Sequence, residues 1–421
     1  MKKIIALNND WVFCKEGVKE TVNLPHTWNG LDGQGMNEGS YYRGACTYTR
    51  IIPKYDGITY LELKGANSVA TVKINGRKVG THEGGYSTFR FDISSFLSSP
   101  KNFLEITVDN SENKKVYPGF ADFTFYGGLY REVNLITDVP ETRFSLDDYG
   151  SKGIYVTAKT NGDVKVKAVI NNYQKDIKVL YEVLDAENNV VASAGDREKL
   201  HVESPILWNG MANPYLYTLR ATLKKGDNLI DKVELRFGFR DIRFDAKEGC
   251  FLNGEYIKLK GVSRHQDREA IGNALTIAEH KEDLDLIKDM GANSIRLAHY
   301  QQAEEFYDLC DEMGFLVWAE IPVISRFSKA AQDNALNQLE ELIKQNMHHA
   351  SIYAWGIQNE ITITSENEAL IEGIKELNAY AKLLDSSRPT TCAQFTMCGL
   401  DSELNRVTDI LAYNHYFGWY M

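Results

Sequence analysis

The sequence predicts two β-sandwiches followed by an incomplete (β/α)8 TIM barrel, and three observations predict it. At 421 residues the chain exceeds one ordinary domain. Up to about Arg240, short runs of alternating apolar and polar residues are separated by turn signals, as half-buried antiparallel strands require. Beyond that point strand-like apolar runs alternate with helical ones, as βα units do.

In a first domain (residues 1–138), Thr59-Tyr60-Leu61-Glu62-Leu63 and Ala70-Thr71-Val72-Lys73-Ile74 alternate. Asn75-Gly76 then marks a hairpin, because both residues tolerate positive φ. Arg90-Phe91-Asp92-Ile93 and Leu104-Glu105-Ile106-Thr107-Val108 carry the pattern to about Thr137. Residues 138–153 are polar and turn-rich and read as a linker. The second domain (139–239) runs from Val164-Lys165-Val166 to Val233-Glu234-Leu235-Arg236-Phe237, and about 100 residues is the size of an immunoglobulin-like sandwich.

In the third domain (240–421), strands are expected at 257–262, 294–298, 316–321, 351–357, 390–395 and 410–414. Helices are expected at 279–290, with Leu284, Ile287 and Met290 on one face, and at 303–313. Gly291 and Gly314 stand just past their ends. These six strands, at about 30 residues apiece, match six of the eight units of a barrel of about 250 residues. A sheet left open there exposes an edge and part of its apolar interior, which predicts a poor folding unit when isolated.

A formal charge of −11 argues against a nucleic-acid or anionic-membrane partner, since neither attracts an acidic protein. The six cysteines show no paired spacing and read as free thiols of a reducing compartment. Ile4-Ile5-Ala6-Leu7 stops in Asn8-Asn9-Asp10, short of the about 7–15 apolar residues of a signal peptide. No run approaches the roughly 20 residues of a membrane span, so the expected location is cytoplasmic. There is no Gly-rich phosphate loop, Gly-x-Ser-x-Gly elbow or zinc spacing, and neither a cofactor nor a metal is expected. His348 and His349 diverge by about 100° if helical and make poor co-ligands.

Chemistry concentrates where the barrel strands end. The apolar run Ser351 to Ile357 reads as a buried parallel strand, and Gln358-Asn359-Glu360 closes it. A glutamate at the carboxyl end of a barrel strand, with an amide beside it, suits protonation of a leaving oxygen and a hydrogen bond to a sugar hydroxyl. Polar groups follow other strands too: Ser263-Arg264-His265-Gln266-Asp267, Arg296-Leu297-Ala298-His299-Tyr300 and Asn414-His415-Tyr416. Singly, each histidine reads as a hydrogen-bonded structural residue; together at one rim they read as a pocket. Glu320 could be a second catalytic carboxylate, but a buried ion pair with Arg296 is the favoured reading.

Several segments, in this order, resemble glycoside hydrolase family 2, the β-galactosidase and β-glucuronidase family. They are Pro25-His26-Thr27-Trp28-Asn29, Gly127-Gly128-Leu129-Tyr130-Arg131-Glu132, Trp208-Asn209-Gly210 with Asn213-Pro214-Tyr215, and Gly261-Val262-Ser263-Arg264-His265. Further on come Gly291-Ala292-Asn293-Ser294-Ile295-Arg296, Trp355-Gly356-Ile357-Gln358-Asn359-Glu360 and Tyr413-Asn414-His415-Tyr416-Phe417-Gly418-Trp419-Tyr420. The resemblance implies a jelly-roll sugar-binding domain, an immunoglobulin-like domain and a TIM barrel. It implies a retaining exo-β-glycosidase, often oligomeric, acting on carbohydrate through a covalent glycosyl-enzyme. By position, Glu360 resembles the general acid/base and Asn359 the partner of the sugar 2-hydroxyl. His265 and His299 resemble pocket residues, Tyr416 the tyrosine beside the nucleophile, and Asp122 an acid that the first domain inserts into the pocket.

The family nucleophile follows strand seven, whereas this chain reaches Met421 just after strand six. Retention needs two carboxyls about 5–5.5 Å apart, so the chain alone is expected to be inactive. The Asp122-Phe123-Thr124-Phe125 loop and the Arg264-His265-Gln266-Asp267 stretch favour a β-galactosidase. The alternatives are a β-glucuronidase, or a non-catalytic carbohydrate-binding or assembly fragment.

Overall fold

The computed structural model describes residues 2–34, 41–363 and 366–418; Trp419 and Tyr420 of the last family segment lie outside the described residues. Alternation builds the first sandwich: in the strand Lys101–Asp109 buried and more exposed side chains take turns, and Val69–Ile74 points Ala70, Val72 and Ile74 inward. One antiparallel sheet runs in the order Val18–Val22, Trp11–Lys15, Ala45–Pro53, Lys101–Asp109, Val69–Ile74, Arg77–Glu83. The other runs Lys3–Ala6, Val133–Val139, Ile58–Leu63, Phe89–Asp92. Trp11, Tyr48, Leu61, Val72, Ile106 and Leu135 fill the space between them. The Asn75-Gly76 hairpin forms with φ of 51° and 75°.

The second sandwich sets Ile154–Ala158, Asp163–Ala168 and Leu200–His201 against Val190–Gly195, Ile177–Leu184, Tyr217–Lys225 and Asn228–Phe237. The stretch 138–153 corrects the sequence reading, because much of it is buried and it carries the strand Arg143–Phe144, paired with Ile170–Asn171. Several of its polar groups are satisfied internally. Arg143 Nη2 donates to the Tyr60 hydroxyl at 2.6 Å, and Asp231 accepts from the Phe144 N–H at 2.9 Å. Polarity marks a linker only when water is the partner.

A small antiparallel sheet, Ile242–Asp245, Gly249–Leu252 and Glu255–Ile257, precedes the barrel. The first barrel strand is therefore Gly261–Arg264, later than the expected 257–262, because that run straddles two elements. Ser294–Leu297, Leu316–Glu320, Ile352–Asn359, Thr390–Gln394 and Ile410–Tyr413 follow in chain order as an open, curled parallel sheet. Helices Ile277–Asp289, Glu304–Met313, Gln332–Asn346 and Glu368–Leu384 cover its outer face, over a core that includes Ile295, Val317, Leu339, Trp355 and Leu377.

A Thr276/Glu279 capping box starts the first of these helices, and Gly314 ends the second at φ 79°. Met290 does not share the buried face of Leu284 and Ile287; it caps the helix and is 69% exposed. His348 and His349 lie beyond the helix Gln332–Asn346, so their rings do not fan out around a helix but sit 4.1 Å apart.

The first sandwich docks on the barrel near the carboxyl ends of its strands. Tyr86 stacks on Tyr300 at 4.3 Å, and Arg131 Nη2 donates to Gln266 Oε1 at 3.0 Å and to the Gln301 carbonyl at 3.1 Å. Inside that sandwich two family segments meet, since a Cβ on Gly127 would lie 1.9 Å from Cζ2 of the buried Trp28. Gly127→Ala is expected to lower the thermal midpoint, costing about 1–3 kcal/mol through overpacking. Gly119→Ala, which meets nothing within 4 Å, should leave it unchanged. Equal midpoints for both variants would contradict the packing account.

Candidate active site

The fourth barrel strand is buried along its whole length, as a parallel strand covered on both faces must be. Gly356 lets the third strand's side chains approach it: a Cβ there would fall 2.4 Å from both Glu320 Cβ and Trp318 Nε1. The strand continues through Asn359, and the chain then turns sharply. Glu360 has φ 50°, a left-handed conformation costing about 1–2 kcal/mol for a residue with a Cβ. Its N–H donates to the Ala393 carbonyl at 2.8 Å, which holds the turn.

Glu360 Oε1 accepts from Asn414 Nδ2 and from the Tyr416 hydroxyl, each at 2.9 Å. Burial and this hydrogen bond both push the Tyr416 pKa up, keeping it a donor. Asn359 Oδ1 accepts from Arg296 Nη2 at 2.7 Å and from Asn414 Nδ2 at 2.9 Å. Arg296 Nη1 donates to Asn414 Oδ1 at 3.0 Å. Because Arg296 can only donate, it fixes both amide orientations. The Asn359 NH2 group is left without a protein partner among the described residues, free to donate to a ligand.

Behind this pair stands the expected ion pair. Arg296 contacts Glu320 at 3.2 Å, stacks over Trp318 at 4.5 Å, and shares Glu320 with His299 Nδ1 at 2.5 Å. Burial opposes ionisation of Glu320 most strongly, but Arg296 and His299 together outweigh it and hold the carboxyl below its ordinary range. Glu320 is thus committed to structure.

His299 and His265 face each other with ring centroids 5.5 Å apart. Phe123, from the first sandwich, lies 5.1 Å from His265 and 6.2 Å from His299. Burial, with the His299 charge, lowers the His265 pKa to about 4, so the ring is neutral near pH 7. Asp122 is exposed at the rim, close enough for its charge to favour protonation of His265 and to oppose ionisation of Tyr416. Phe120 of the same loop packs on Arg326 at 4.1 Å.

The structure therefore brings Glu360, Asn359, His299, His265, Tyr416 and Asp122 to one rim. The sequence places Asn414 at the rim as part of Asn414-His415-Tyr416 but gives it no role; in the structure it bridges Asn359 and Glu360. Phe123 is visible only as an aromatic next to Asp122. The Arg264–Asp267 stretch is mostly structural. Arg264 binds Asp283 at 2.6 Å, Gln266 binds Arg131, and Asp267 accepts from the Tyr126 hydroxyl at 3.2 Å. Among the described residues one group could ligate a metal, Asp308, Asp311 and His349, and it lies away from this rim. Both carboxylates are already engaged: Asp311 takes His349 Nδ1 and the Ser351 N–H, each at 2.7 Å, and Asp308 pairs with Arg236 at 2.8 Å.

A carboxylate, an oriented amide and two histidines above a parallel-barrel rim, partly walled by a β-sandwich, define a glycoside-hydrolase type of site. The chain matches the sugar binding domain of glycosyl hydrolases family 2 over residues 5–139, the family 2 domain over 139–240 and the family 2 TIM barrel domain over 245–421. It belongs to glycoside hydrolase family 2. It is 38% identical to a β-glucuronidase of Bacteroides fragilis, over 99% of this chain and 64% of that protein. It is 29% identical to a β-galactosidase of Thermoanaerobacter pseudethanolicus, over 99% of this chain and 58% of that one. The crystal structure of an FMN-binding β-glucuronidase from Facaelibacterium prausnitzii L2-6 superposes with a TM-score of 0.96 at 42% identity, covering 100% of this chain and 68% of that one. The chain thus spans less than two thirds of the length of these two curated relatives.

Glu320→Gln leaves Arg296 without a counter-charge and is expected to cost about 3–5 kcal/mol in urea unfolding at neutral pH. With the folded pKa below 4.5, the Glu320 contribution is complete above 4.5 and fades as pH falls through the lower folded value. A variant as stable as wild type would contradict the ion pair. For His265, whose folded value is about 4 against 6.5, stability falls as pH drops from 6.5 towards 4, because the unfolded chain takes the proton first. A nitrogen-15 titration midpoint at or above 6.5 would contradict the buried neutral ring.

Proposed function

We propose that this chain carries the sugar-binding and acid/base half of a retaining β-glycosidase. One observation carries the reading: the Glu360 carboxylate sits at the end of the fourth barrel strand with Oε1 anchored, while Oε2 has no partner among the described residues. In the protonated form Glu360 gives its proton to the glycosidic oxygen as the bond to the anomeric carbon breaks. A second carboxylate attacks that carbon and forms the glycosyl-enzyme. Glu360, now ionised, takes a proton from the water that releases the sugar.

Neutral His265, His299 and the Asn359 amide supply hydrogen-bonding partners for the sugar hydroxyls, the amide serving the 2-hydroxyl. Asp122 adds an acceptor and Phe123 an apolar wall. Since Glu320 is bound to Arg296 and His299, we infer that the nucleophile comes from outside residues 1–421. The substrate is a carbohydrate, nucleic acid and membranes play no part, and cytoplasmic location and a homo-oligomer belong to the same proposal. Among the described residues no helix is long and apolar enough to cross a membrane.

For the glycone, the reading favours a β-glucuronide. The relatives at 38% and 42% identity are named β-glucuronidases, and of the stretch first favouring galactose only His265 reaches the rim. The Asp122 loop keeps β-galactoside as the second reading.

Paired kinetics on nitrophenyl β-glucuronide and β-galactoside, with the gene's full-length product, test the choice. The glucuronide is expected to show the higher kcat/KM, and a galactoside preference would contradict it. Glu360→Gln should lower kcat about 100- to 10,000-fold. Residues 1–421 alone should turn over neither substrate; turnover abolished by Glu320→Gln would overturn the outside nucleophile.

A further inference from the structure

At the amino ends of the barrel strands, away from Glu360, a cleft of about 360 Å³ opens between the second sandwich and the barrel. That volume is within the range of small-molecule sites. Its charged lining is Lys159, Arg240, Arg388 and Asp241, three cations against one carboxylate. Lys159 is exposed, on the turn that joins Ile154–Ala158 to Asp163–Ala168.

Arg240 is the unusual member. Its Nε donates to the Ala350 carbonyl at 2.6 Å and its Nη2 to the Ile352 carbonyl, both neutral acceptors at the start of the fourth strand. It has no carboxylate partner among the described residues, and Nη1 has no acceptor there. Arg388 beside it is paired with Asp385 at 2.8 Å. Burial, then the like charge of Arg388, lowers the Arg240 pKa to about 9.

His348 also lines the cleft at 8% exposure, and neither ring nitrogen has a hydrogen-bond partner among the described residues. A partly buried guanidinium without a carboxylate partner beside an unpartnered imidazole is a costly arrangement that an anion would relieve. Val156 and Met347 supply an apolar wall next to these donors.

We propose that this cleft binds a phosphate group, held by Arg240, Lys159 and the His348 ring, with any ligand body lying against Val156 and Met347. A tetrahedral dianion suits this setting because its oxygens can accept from donors arriving in several directions.

Calorimetric titration of the full-length product with inorganic phosphate and with phenyl phosphate, at constant ionic strength, tests it. One saturable site is expected, weakened about tenfold or more when the exposed turn residue is reversed by Lys159→Glu. His348→Phe keeps the ring's bulk, removes its nitrogens and should give a similar loss. Tighter binding of phenyl phosphate would assign the site to a phosphate ester, and equal binding to free phosphate; both support the proposal. No saturable binding of either probe overturns it. Binding untouched by both variants places the anion elsewhere and overturns it as well.

Discussion

The Arg296–Glu320 ion pair is the interaction on which the rest of the site depends. It costs desolvation to bury, and Glu320 is only 1% exposed, so the pair survives because further hydrogen bonds to His299, Asn359 and Asn414 surround it. Arg296 spends its other hydrogens on Asn359 and Asn414, and Glu320 spends an oxygen on His299. The second, third and fourth strands and the residue after the sixth are thereby joined through side chains as well as the sheet. Glu360 is oriented at the end of that series, by Asn414 and Tyr416.

The first sandwich completes the site. Its Tyr86 and Arg131 contacts with Tyr300, Gln266 and Gln301 fix it against the barrel rim. That docking is what brings Phe123 against two histidines of different strands and sets Asp122 at the mouth. A polar ring beside an apolar wall suits a sugar, whose hydroxyls and carbon faces alternate. The same docking explains why His265 stays neutral: Phe123 and Tyr300 displace the water that would stabilise its charge.

Much of this was legible in the sequence. Two periods distinguish the sandwiches from the barrel, and Asn359-Glu360 after an apolar run is visible because strand ends expose chemistry. The failures share a physical cause, which is polarity satisfied inside the protein. Residues 138–153 read as solvated, yet Arg143 bonds to Tyr60 of the first sandwich and the Phe144 N–H to Asp231. Arg264, Gln266 and Asp267 read as pocket residues, yet each serves a structural contact. Asn414 was legible only as a polar residue after a strand: its bridging role lies in partners 118 and 55 positions away, which no local pattern encodes.

The account turns on Glu360 giving a proton to the departing oxygen, and leaving-group dependence tests that most directly. In the full-length product, Glu360→Ala should cleave a phenyl glycoside, whose unactivated leaving group needs a proton, far more slowly than wild type. A dinitrophenyl glycoside, whose phenolate departs without protonation, should form the glycosyl-enzyme at close to the wild-type rate. Added azide should then release it as the β-glycosyl azide. An equal loss on both substrates, with no effect of azide, would contradict the acid/base role.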